Sequence, residues 1–156
     1  MEKAGFVEMS IKDQKSSALE FEESFGFALW EYLSDHRRTL IRRDDKVFIF
    51  PRILLERFAD LPVQSAGLHL CLVTLDGIIP TFDWATRFGL MCKSVALVLE
   101  EHQASSWLKG IDLEGFDGTT KQTSSIRMVI NQNGQFIGRG KLVQGVLKNL
   151  DYHRYR

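Results

Sequence analysis

Arg139 and Lys141 alternate with Gly138 and Gly140, and Lys148, Asn149, Arg154 and Arg156 follow. Cations beside missing side chains can contact a phosphate backbone: the glycines would let it approach the strand, and the flanking charges would neutralise it. Asn149 would donate to a phosphate or a base edge. Glycine within a strand also marks a bulge or a tight bend, and the residues alone leave both readings open. A second basic group, Arg37, Arg38, Arg42, Arg43 and Lys46, precedes this one, and Arg42 and Arg43 would extend the same footprint. Charge runs are commonly just solvated faces. Tyr152 and Tyr155 beside the later cluster nevertheless supply rings of the kind that stack on unpaired bases.

Other chemistries do not assemble. His69 and Cys71 share a strand face, but His36, His102 and His153 lack ligand spacing, so no metal site is expected. Asp44-Asp45 and Glu100-Glu101 are adjacent pairs whose side chains diverge, which gives no general acid/base couple. No Gly-x-Ser-x-Gly elbow is present. A phosphate-binding P-loop is excluded because five residues separate Gly134 from Gly140 and Leu142 stands where Ser or Thr is required. No catalytic residue and no cofactor are expected.

The elements that must hold these residues read as follows. Leu19, Phe21, Phe25, Leu29, Trp30 and Leu33 mark a helix over 16–33, capped by Ser16 or Ser17, behind a loose arm. Its aromatic stripe would dock on the domain, and its acidic outer side is a candidate protein-contact surface. Residues 39–42 and 46–50 read as a hairpin, and Pro51 opens a short helix. Residues 66–75 form a strand turning at Asp76-Gly77, and Pro80 ends the pairing. A short helix over 82–90, a buried strand (or, at this length, a helix) over 94–99 and a helix over 100–109 stopped by Gly110 come next. A polar loop spans 115–125. Residues 126–132 and 135–143 then flank Asn133-Gly134, which predicts a type I′ hairpin. The class is α+β: a small, strongly bent sheet or pseudo-barrel with short helices and an N-terminal helix.

A chain of 156 residues suits one globular domain, here divided as 1–35 and 36–156. Two cysteines and no apolar run long enough to span a bilayer point to a soluble, cytoplasmic protein. The formal net charge of zero conceals segregation. Residues 36–57 hold seven basic and three acidic groups, and residues 126–156 hold six and one. Local field rather than net charge governs a partner within a Debye length of about 8–10 Å.

The stretch from Ile126 to Asn149, with Gly134, Gly138, Lys141, Gly145, Lys148 and Asn149 in order, resembles the last segment of the PUA-like RNA-binding domain of RsmF-type (Sun family) RNA cytosine methyltransferases. Val47 to Pro51, Ala66 to Leu70 with Pro80 to Ala85, and Trp107 to Gly110 are similar to earlier steps of that domain. The likeness covers about 36–156. The family's usual aromatic-Pro-basic ending is replaced by Asp151 to Arg156 without proline. Cys71 between leucines and Cys92 between Met91 and Lys93 do not match the Pro-Cys and Thr-Cys motifs of the catalytic domain, and no Gly-rich loop for S-adenosylmethionine is present. The resemblance implies a non-catalytic module for structured rRNA or tRNA. The alternatives are the C-terminal portion or partner of a cytosine methyltransferase, and a protein-interaction domain with an inherited fold.

Overall fold

The first helix starts at Ser10, earlier than its apolar stripe predicts. Ser10 Oγ accepts the Asp13 N–H at 3.1 Å, an N-cap bond, and the Gln14 N–H reaches the Ser10 carbonyl at 2.8 Å. Helix α1 then runs Ile11–Phe25. Gly26 takes φ +73, the left-handed geometry of a glycine that follows a helix. The chain resumes as α2, Leu29–Asp35. The helix expected over 16–33 is therefore two helices. Phe21, Phe25, Leu29 and Leu33 are buried, whereas Leu19 is exposed.

This computed structural model describes residues 5–58, 67–116 and 124–151. They fall into two compact units, one within Met1–Glu23 and Phe27–Trp84, the other within Ser24–Gly26 and Ala85–Arg156. The stretch 36–156, expected as one domain, contributes to both.

In the first unit, strands β1 (Val7–Glu8), β2 (Arg38–Arg43), β3 (Lys46–Pro51), β4 (Leu68–Thr74) and β5 (Gly77–Pro80) form an antiparallel sheet in that order. The hairpin predicted around residues 43–45 forms, with register from Arg43 opposite Lys46 to Arg38 opposite Pro51. Helix α3, Arg52–Phe58, follows at once. Ile41 and Phe48 sit side by side in the sheet and pack with Phe6, Phe50 and Leu55. Elsewhere in the unit, Phe21 and Phe27 each meet the buried Trp84 ring edge-on, at 5.0 and 5.1 Å. Helix α4, Phe82–Phe88, is capped by Thr81, whose hydroxyl accepts the Trp84 N–H at 3.1 Å.

A buried amide joins helix to sheet. β1 pairs with β2 for two residues only, and the Met9 N–H adds a bond to the Leu40 carbonyl. The Leu40 N–H then lacks a strand partner. Gln14 Oε1 accepts it at 3.1 Å, while Gln14 Nε2 donates to the Met9 carbonyl at 2.7 Å and to Thr39 Oγ1 at 2.9 Å. Thr39 Oγ1 in turn donates to Glu8 Oε1 at 2.9 Å. Gln14 is 1% exposed and Thr39 0%. Only a side chain that both donates and accepts can fill this position.

His69 on β4 stacks on Phe48 at 4.6 Å. Its buried Nε2 has no hydrogen-bond partner among the described residues. Burial holds its pKa below the usual 6.5, with the Lys46 charge acting in the same direction. On the same strand, burial pushes the Cys71 thiol up to about 12.

In the second unit, strands β6 (Ala96–Val98), β7 (Ile126–Ile130), β8 (Phe136–Val143) and β9 (Val146–Asn149) form a sheet in that order. β6 runs parallel to β7, and the other pairs are antiparallel. Helix α5, Glu101–Leu108, opens on a capping box in which Glu100 and Gln103 satisfy each other's backbone N–H groups. Gly110 follows it at φ +84, as expected of the stop. Leu99, Ala104, Trp107, Val129, Ile137 and Leu147 make the core. Cys92 is buried here, its thiol also pushed up to about 12 by burial.

The α+β class holds, but there are two sheets rather than one, and neither closes into a barrel among the described residues. The turn at Asn133-Gly134 is not type I′, which needs φ > 0 at both central residues. Gly134 has φ +78 but Asn133 does not. The Gly134 N–H bonds to the Asn131 carbonyl and the Asn131 N–H to the Gln135 carbonyl, both at 3.0 Å. That is a three-residue loop with glycine in the left-handed position. Asn131 Oδ1 anchors it by accepting the Asn133 and Gln135 N–H groups. The type I′ geometry sits one hairpin later, at Gln144 (φ +49) and Gly145 (φ +78), between Val143 and Val146.

Two outcomes follow. Gln14→Leu keeps the volume but orphans the Leu40 N–H and removes the donor shared by the Met9 carbonyl and Thr39 Oγ1. It should cost about 2–4 kcal/mol in urea unfolding, whereas the neighbouring exposed Lys12→Ala should stay within about 0.5 kcal/mol. The second concerns pH. A neutral imidazole is favoured only in the folded state, so His69 contributes stability that is fully present above 6.5 and lost as pH falls through 6.5 toward its lower folded pKa. The urea midpoint should therefore drop less between pH 7.5 and 5.5 in His69→Phe than in the parent chain, and equal drops would refute this account.

Candidate functional site

The predicted contact residues separate once they are placed in the fold. Arg42 and Arg43 are adjacent on β2 and so point to opposite faces. Arg42 is exposed and donates from Nε to the Asp44 carbonyl at 2.7 Å. The Arg43 guanidinium lies over the Phe6 ring at 5.7 Å. The hairpin bearing them belongs to the first sheet, and Arg139, Lys141, Lys148 and Asn149 belong to the second. The two basic groups therefore do not neighbour each other in one sheet, because β7, β8 and β9 pair only among themselves and with β6.

Arg139 is committed inside the second unit. Asp151, 1% exposed, accepts the Arg139 backbone N–H at 2.7 Å and its Nε at 3.1 and 3.2 Å, and also takes Nη2. A guanidinium held bidentately by a buried carboxylate keeps little charge for a ligand. Asn149 is similarly engaged: Nδ2 donates to the Trp107 carbonyl at 2.8 Å and Oδ1 accepts the Asp151 N–H at 2.9 Å. Arg127, 3% exposed, donates to the Ser124 and Ile126 carbonyls, and burial lowers its pKa.

The glycines divide in the same way. Gly138 has φ +137 and lies where the β7–β8 register shifts, which is a bulge. At Gly140 an added Cβ would stand 2.6 Å from Leu147 and 3.1 Å from the Trp107 ring. Its bare backbone faces the core, so phosphate approach on that side is closed. Lys141 and Lys148 sit directly opposite each other on β8 and β9, and Lys148 lies 3.5 Å from Asp112. Arg154 and Arg156, with Tyr152 and Tyr155, lie outside the described residues.

Cations do converge in the first unit, at a place to which only part of the basic run contributes. A concavity of about 860 Å³ lies between α1, α2, the start of β2 and the start of α3. Lys15, His36, Arg37, Arg38 and Arg52 line it, with Trp30 as its aromatic member and Ile11, Leu33 and Ile53 as apolar wall. None of its described lining residues is acidic. Among the described residues, no carboxylate lies within 4 Å of the three guanidinium groups.

Local structure explains the convergence. Arg37 takes φ +50, a region seldom used by residues with side chains. The Arg52 N–H fixes that corner by donating to the Arg37 carbonyl at 3.2 Å. Arg38 lies opposite Pro51 in the hairpin, which sets Arg52 beside the 37–38 corner. Lys15 Nζ sits 5.4 Å from the Trp30 ring centre, and His36 stacks on Tyr32 at 4.4 Å. Arg37 and Arg38 belong to the basic run already noted in the sequence. Counting back from the 44–45 turn would have brought Arg52 to them. Lys15 and Trp30 carried no such signal, because their positions depend on how α1 and α2 dock.

No protein-family model matches the chain, and no curated protein matches it. Among the described residues there is no cluster of three or more potential metal ligands and no helix long and apolar enough to cross a membrane.

The concavity has an optical signature. Trp84 and Trp107 are both 0% exposed, whereas Trp30 is half-buried at the cationic wall. Iodide should quench tryptophan emission more than caesium, added salt should narrow the gap, and Trp30→Phe should abolish it. Quenching by caesium equal to that by iodide would show that the local field is not positive.

Proposed function

We propose that this chain is a non-catalytic RNA-binding module that takes unpaired segments of structured rRNA or tRNA at the concavity of its first unit. The observation that carries this reading is that Lys15, Arg37, Arg38 and Arg52 line one concavity with Trp30, with no carboxylate in the described lining. Guanidinium groups suit phosphate oxygens, and an aromatic face suits an unstacked base. The likeness of residues 36–156 to a PUA-like RNA-binding domain supports the same ligand class. Lys141 and Lys148 give the second unit a smaller basic face that would add phosphate contacts. Arg42 would extend the first.

Anisotropy titrations with an unstructured 12-nucleotide RNA test the proposal. Binding should weaken steeply with salt, the slope falling by about 0.7 for each phosphate contact removed. Arg37→Ala and Arg52→Ala should each weaken binding several-fold and reduce that slope. Arg139→Lys should change stability more than affinity. Salt-insensitive binding, or none at low salt, would sink the reading.

A further inference from the structure

We infer that the concavity is an end-binding site: it takes a terminal phosphate monoester of an RNA chain, with the adjoining base on Trp30, rather than a run of internal backbone. The inference rests on the RNA-binding reading and sharpens its ligand.

Charge carries the first part of the argument. An internal phosphodiester brings one negative charge, whereas a phosphate monoester brings about −1.5 to −2 near neutral pH and three acceptor oxygens. Arg37, Arg38 and Arg52 bring three guanidinium groups to one corner, and Lys15 adds an ammonium. None of the described lining residues is a carboxylate. A proteinaceous corner so rich in positive charge is matched better by a dianion than by a diester. The guanidinium fork also pairs two oxygens at once, which a terminal phosphate presents freely.

Shape carries the second part. At about 860 Å³ the concavity is comparable in size to small-ligand sites, about 300–1,000 Å³. The Arg37–Arg52 backbone bond and the Arg38–Pro51 pairing hold the two arginine-bearing segments together. Such preorganisation suits recognition of one compact group. Trp30 and the apolar residues Leu33 and Ile53 line the same space and would receive the first base.

The test uses one 12-nucleotide uridine-rich RNA in three forms: 5′-phosphate, 3′-phosphate, and hydroxyl at both ends. One phosphorylated form should bind the full chain about tenfold tighter than the hydroxyl form, and the favoured form identifies which end is taken. Arg37 and Arg52 are exposed, so Arg37→Gln and Arg52→Gln leave the core intact. Each should abolish the preference, so that the phosphorylated and hydroxyl forms bind the variant with equal affinity. The favoured form should also shield Trp30 from iodide in the parent chain. Equal affinity for all three forms overturns the inference and leaves the RNA reading standing. A preference that survives both substitutions overturns it as well, because the phosphate is then read elsewhere. Failure of all three forms to bind removes both proposals.

Discussion

One buried carboxamide holds the first unit in register. β1 is too short to pair with all of β2, so the sheet edge would leave the Leu40 amide without an acceptor. The Gln14 side chain continues the ladder in place of a strand and, being on α1, fixes that helix against the sheet edge. Neither a carboxylate nor a hydrocarbon can replace it, since the position requires one acceptor and two donors in a plane. Lys15 is the next residue, so the same amide sets the cationic side chain of α1 beside Trp30 and the arginine corner. The concavity is thus a consequence of how a truncated edge is completed.

The charge pattern acquires a different meaning once the chain is folded. Two basic blocks stand out in the sequence, and the later one looks stronger. In the structure that block spends Arg127 on backbone carbonyls and Arg139 on Asp151, both within the second unit. The earlier block has a lower net charge, yet Arg37, Arg38 and Arg52 share a concavity. What a partner senses is the charge left after internal pairing, at the place where the backbone gathers it.

The legible parts of the fold were those set by short-range chemistry. The 38–51 hairpin, the helix stopped by Gly110 and the 126–143 pair follow from alternation and turn residues. The start of α1 was not legible, because the apolar stripe points to Ser16 or Ser17 as the cap, whereas the helix begins a turn and a half earlier at Ser10, where Gln14 reaches β2. Asn133-Gly134 alone predicts a two-residue turn, whereas Asn131 favours a longer loop by capping it with its own side chain. Arg139 looks like a free cation in the sequence because nothing in local spacing shows that Asp151, twelve residues on, returns beside it. The arginine corner was half legible: its hairpin members follow from the register, whereas Lys15 and Trp30 depend on helix docking.

The two buried cysteines give the molecule a property unrelated to any ligand. Cys71 lies in the first unit and Cys92 in the second, and burial keeps both as neutral thiols far above physiological pH. A neutral, covered thiol is chemically silent. Each unit therefore carries one internal marker that becomes reactive only when that unit opens. Alkylation followed by peptide mapping would time the loosening of the two halves separately within a single unlabelled chain.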